Sequence, residues 1–171
     1  YKTLGMPYFL GIILYGLPGT GKTSFIKALA NETCRNIIEI PFSKIKTFKE
    51  LKSIFSPKIN GRIVPNSKRI YVIEEFDCVI DAFKKRTIED KLEADNILEL
   101  DPTKNITKKN IITKSDDALT LDNLLAIIDG TCEPSDYIIC ITTNYINKID
   151  PALIRPGRFD IKLKFNNANT T

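Results

Sequence analysis

The chain has 171 residues, 43% of them apolar and 27% charged, with a formal net charge of +4. That length supports one well-buried core and is too short for two comfortable domains, and the composition excludes a disordered or fibrous chain. No apolar run reaches transmembrane length, and Cys34, Cys78, Cys132 and Cys140 show neither metal-ligand spacing nor a CxxC pair, which suits reduced thiols in an intracellular protein.

Taken in order, residues 1–11 form an approach segment broken by Gly5 and Pro7. Ile12 to Tyr15 is a short apolar run of buried-strand type. It leads into Gly16 to Thr23, GLPGTGKT, which fits the phosphate-loop pattern of a glycine, four residues, then Gly-Lys-Thr. A helix follows from Ser24 to Ala30, with Phe25, Ile26 and Leu29 on one side. Strand, glycine loop and helix is the arrangement phosphate binding requires. Glycines let successive N–H groups turn inward, and the helix N-terminus adds partial positive charge. Gly16, Pro18, Gly19, Thr20, Gly21, Lys22, Thr23 and Ser24 are therefore the candidate nucleotide-binding residues, with Lys22 on the β and γ phosphates and Thr23 on magnesium.

Ile37 to Ile40 reads as a second strand, closed by Pro41, and Thr47 to Phe55 as a helix ending before Pro57. Asn60 to Lys68 is rich in turn residues and reads as a loop. Ile70 to Ile73 is a third strand running into the acids Glu74, Glu75 and Asp77. From Lys84 to Asp117 the chain becomes polar and charged, and a mobile insertion is expected there. Thr120 can cap a helix with Leu121, Leu124, Leu125 and Ile128 on one face and Gly130 as its stop. Tyr137 to Ile141 and Ile161 to Phe165 complete five strands. Strands alternating with helices predict an α/β fold, a parallel sheet covered on both faces, in a single unit over residues 1–171. The lysines of residues 44–58 and 104–109 read as a solvated face rather than a nucleic-acid groove.

An acid at the tip of the strand beside the phosphate loop suits magnesium, and a second suits the attacking water, so Glu74 is assigned to the metal and Glu75 to the water. Asn144 ends the fourth strand on the edge shared by all carboxyl ends, where it can hydrogen-bond the same water. Arg155 and Arg158 flank a Pro-Gly break, and a rigidly presented guanidinium suits a transferring phosphoryl group.

Together, residues 16–23, 71–77, 142–144 and 149–160 resemble the AAA+ ATPases, the last stretch resembling their second region of homology. Within that family, residues 5–8 and 11–16 together with Leu121 to Gly130 (LDNLLAIIDG) are most similar to the chaperones that assemble mitochondrial respiratory complex III. The resemblance implies a five-stranded parallel sheet in which the phosphate-loop strand lies between those ending at Asn144 and Phe165, with the strand ending at Glu74 beyond Asn144. It also implies a homo-oligomeric ring with ATP at subunit boundaries, a protein substrate, Asn144 as sensor of the γ phosphate, and Arg155 and Arg158 as fingers acting on a neighbour's nucleotide. Three departures stand out: Glu74 replaces the usual Asp at the metal position, residues 42–47 lack an aromatic, apolar, glycine triplet, and the helical lid subdomain is expected to be absent from this segment. The chain begins mid-pattern at Tyr1 and so reads as a piece of something longer. Its compartment would be cytoplasmic, or an organelle membrane if the parent follows the mitochondrial chaperones. The rival readings are a small-molecule kinase on the same loop and a nucleotide-gated interaction module without turnover.

Overall fold

The computed structural model describes residues 9–56, 58–59, 61–83, 119–129 and 136–167. The approach segment before Phe9, the whole of the expected insertion and the Gly130 helix stop lie outside the described residues. Strand β1 (Leu10–Gly16) is followed by helix α1 (Lys22–Glu32), strand β2 (Asn36–Glu39) and helix α2 (Phe48–Ile54). Two short strands, β3 (Lys58–Ile59) and β4 (Arg62–Ile63), precede β5 (Arg69–Ile73). Residues 76–83 are helical and are labelled α3. Helix α4 (Leu121–Ile128), β6 (Ile138–Thr143) and β7 (Ile161–Phe165) complete the described elements.

The main sheet is parallel, with strand order β2-β5-β6-β1-β7. The phosphate-loop strand thus lies between β6 and β7, with β5 beyond β6, as the resemblance implied. Side-chain alternation along the central strands divides the core in two. Ile12, Leu14, Ile70, Val72, Ile138 and Cys140 pack with Ile26 and Ala30 of α1 on one face. Ile13, Tyr71, Ile73, Ile139 and Ile141 pack with Leu51 of α2 and Leu124, Ile127 and Ile128 of α4 on the other. Strands buried on both faces have no polar side to show, which is why they read as uninterrupted apolar runs. Burial also pushes the Cys140 thiol up to about 12, keeping it protonated in the core.

Both short helices of the second face start on capping boxes. The Thr47 side chain accepts from Glu50 N while the Glu50 side chain takes the Thr47 N–H, and Thr120 pairs with Asn123 in the same way. The loop between β2 and α2 turns Phe42 and Ile45 into the core, at 6% and 5% exposure, so its apolar residues serve packing.

One expectation fails locally. The stretch read as a loop from Asn60 contains an antiparallel hairpin, with Lys58 paired to Ile63 and Ile59 to Arg62. The Asn60-Gly61 dipeptide, a strong hairpin signal, was the clue, and Gly61 takes φ 77°. The buried Arg69 guanidinium fastens this hairpin to the sheet, donating from Nη1 to Ser56 O at 2.7 Å and to the Tyr71 hydroxyl at 2.9 Å, and from Nη2 to Val64 O.

Candidate nucleotide-binding site

Because all five strands of the sheet are parallel, the residues that follow β1, β5 and β6 gather on one edge. They line a cleft of about 190 Å³. Pro18, Gly19, Lys22 and Thr23 form one wall, and Glu74, Glu75, Thr142, Thr143 and Asn144 the other.

The loop is shaped by its glycines at two places. At Gly16, where φ is 148°, a Cβ would lie 2.1 Å from Phe165 O, so only glycine lets β1 end this close to β7. Gly21 caps α1 in the left-handed region at φ 94°, with no side chain capping the helix and no acid in its first turn. The first N–H groups of α1 are thereby left to a ligand of negative charge. Thr20 steadies the loop from within, its hydroxyl donating to Leu17 O at 2.8 Å. Ser24 is exposed in the first turn of α1 and does not line the cleft.

Lys22 Nζ donates to Gly16 O at 2.7 Å, Leu17 O at 2.8 Å and Asn144 Oδ1 at 3.0 Å. The ammonium is thus held over the loop, and it ties Asn144 to it. Thr23 Oγ1 donates to Glu74 Oε1 at 2.9 Å. Glu75 occupies the left-handed region at φ 49°, unusual for a residue with a side chain, and its N–H donates to Thr142 Oγ1 at 3.1 Å. One turn on, Cys78 is exposed. Desolvation and the negative neighbours Asp77, Glu75 and Asp81 push its thiol pKa up, so it stays protonated and weakly nucleophilic.

Of the residues picked from sequence, Pro18, Gly19, Lys22, Thr23, Glu74, Glu75 and Asn144 meet at the cleft. The two arginines do not line it. Gly11, at the opposite end of β1, abuts Arg158: a Cβ there would stand 2.0 Å from Arg158 O. Arg158 makes a bidentate ion pair with Asp129, from Nε and Nη2 at 2.7 Å each, and donates from Nη1 to Ala152 O at 2.6 Å. Arg155 is exposed. Sequence reasoning gave no role to Gly11, Asp77 or Asp129; the signal for Asp129 was its place at the end of an apolar helix, beside Gly130.

A model of the ATPase family associated with various cellular activities (AAA) matches residues 12–167. The chain belongs to the AAA family. Among curated relatives of this AAA chain, AAA-ATPase At5g40000 of Arabidopsis thaliana is 33% identical over 168 residues, covering 97% of the chain and 32% of the relative. AAA-ATPase ASD, mitochondrial, from the same plant is 35% identical over 162 residues, covering 94% of the chain and 30% of the relative. The AAA chain thus spans about a third of the length of these relatives. Membership supports ATP binding and hydrolysis in general terms. Among the described residues no helix is long and apolar enough to cross a membrane.

Proposed function

We propose that this AAA core binds ATP with magnesium at the described cleft and, within its full-length protein, hydrolyses it at the subunit boundaries of a ring to remodel a protein substrate. The observation that carries the reading is the convergence of Lys22, Thr23, Glu74, Glu75 and Asn144, drawn from three separate stretches, on one cleft.

The donor set suits magnesium. Thr23 Oγ1 and Glu74 Oε1 are hard oxygens 2.9 Å apart at the cleft wall. Magnesium takes one or two protein oxygens and completes its shell with phosphates and water. Bound there, magnesium would neutralise phosphate charge. The rest of the chemistry belongs to the chain. Backbone N–H groups of the loop and the Lys22 ammonium hold the phosphates. Glu75 accepts a proton from the attacking water, and Asn144 orients that water.

The arginines support action in trans. Arg158 lies beside Gly11, whereas the phosphate loop begins at Gly16, five residues and about 16 Å further along the extended strand. A kinase lid would need arginines reaching its own phosphates, and neither Arg155 nor Arg158 lines the cleft.

The test is Glu75→Gln in the full-length protein. The amide keeps the shape and cannot take the proton, so ATP binding should persist while turnover falls to near background. Wild-type turnover in that variant would remove Glu75 from the chemistry.

A further inference from the structure

We propose that Asp77 is a positioning residue for hydrolysis, setting Asn144 and Glu75 as one unit; the inference rests on the ATPase reading above. The reason lies in where the sheet stops. The β5–β6 ladder ends at the pair Ile73 and Ile141, and the β1–β6 ladder at Tyr15 and Thr143. Asn144 therefore lies past the last rung on both sides, and so does Glu75 on β5.

What holds them is a second set of bonds that begins where the ladders end. The carboxylate of Asp77, 5% exposed, accepts from Thr143 Oγ1 at 2.9 Å and from Asn144 N at 3.3 Å. Two residues before Asp77, Glu75 N donates to Thr142 Oγ1 at 3.1 Å. Thr143, 1% exposed, also accepts from Tyr145 N at 3.1 Å, so one hydroxyl joins the turn after β6 to Asp77. A buried carboxylate is tolerated when such donors meet it, and its bonds are stronger than those of a neutral acceptor. The side chain of Asn144, anchored at its backbone by Asp77, then reaches Lys22 Nζ at 3.0 Å. Asp77 is not among the residues lining the cleft, so it acts through Asn144 and through the turn that carries Glu75.

The experiment uses the full-length protein with ATP and magnesium, measuring kcat, the Kd of a non-hydrolysable ATP analogue and the melting temperature. Asp77→Ala should lower kcat by about 10²-fold, the scale of a small misplacement of catalytic groups, with Kd unchanged because the phosphate loop is intact. Asp77→Asn keeps an oxygen acceptor for both donors and should retain most of the turnover. Thr143→Val, which keeps volume and deletes the hydroxyl that Asp77 holds, should lower kcat, and it carries the test if Asp77→Ala does not fold. Wild-type kcat in Thr143→Val or in folded Asp77→Ala overturns the proposal. So does a parallel loss of kcat, nucleotide binding and melting temperature, or an Asn variant as impaired as the Ala variant. A wild-type protein that binds the analogue and never turns over ATP would overturn the ATPase reading and this inference together, an outcome distinct from an active wild type with an indifferent Asp77.

Discussion

Thr23 and Glu74 stand 51 residues apart in the chain and are joined by a hydrogen bond of 2.9 Å from hydroxyl to carboxylate. Glu74 makes this contact with a side chain one methylene longer than the Asp with which the AAA+ resemblance compares it. If Glu74 reaches the metal through water, Glu74→Gln should raise the magnesium concentration for half-maximal turnover by about 10- to 100-fold, the range for outer ligands. Thr23→Ala should act in the same direction, and the double variant should cost less than the sum of the two. A magnesium titration of ATPase rate at saturating ATP checks both.

Glu75 holds φ 49°, a conformation that costs a residue with a Cβ about 1–2 kcal/mol. Glycine relieves that strain at the expense of some chain entropy. Glu75→Gly should therefore raise stability by up to about 1 kcal/mol while abolishing turnover, and Glu75→Val should lower it. Thermal melts beside ATPase assays would show stability and activity moving in opposite directions, as expected where strain is kept for function.

The two arginines separate by their surroundings. Arg158 is bound in cis to Asp129, with side-chain exposures of 17% and 43%, so Arg158→Ala should cost about 1 kcal/mol of stability after allowance for solvent screening. Arg155→Ala should leave stability unchanged. If Arg155 serves a neighbour, a ring mixing Glu75→Gln subunits with Arg155→Ala subunits should recover activity at boundaries that pair an intact acid with an intact arginine. Such a group can contribute about 10³ to 10⁵ in rate. Demonstrably mixed rings without recovery would exclude action in trans.

Glu50 gives a pH signature. Its carboxylate accepts the backbone N–H groups of Lys46 and Thr47, and these bonds hold its pKa below the ordinary value of 4.5. A depressed folded pKa means stability that is complete above the unfolded value and is lost as pH falls through the folded one. Denaturation midpoints should drop as pH goes below about 4.5. Glu50→Gln, which keeps a capping acceptor without a charge, should show a shallower decline there.

Local chemistry was legible and distant chemistry was not. The phosphate loop could be read because Gly16 to Thr23 carry their function within eight consecutive positions. The central strands β1, β5 and β6 could be read because burial on both faces leaves apolar runs. Thr143 and Asp77, by contrast, lie 66 residues apart, and Arg158 and Asp129 lie 29 apart. Nothing in either stretch announces the other, and each acid taken alone reads as a solvated surface group. The backbone of Glu75 was hidden for another reason: residue type predicts left-handed geometry well for glycine and poorly for glutamate.

The backbone of β1 meets Phe165 O at Gly16 and Arg158 O at Gly11, and at both ends the approach is too close for any side chain. The strand is thus a strut of fixed length with the phosphate loop at one tip and the arginine turn at the other. Within one subunit these two parts cannot be brought nearer or moved apart without breaking the central sheet. If an arginine serves a neighbouring phosphate, as proposed, the motion that presents it must turn the whole core as a rigid body about a hinge outside the sheet.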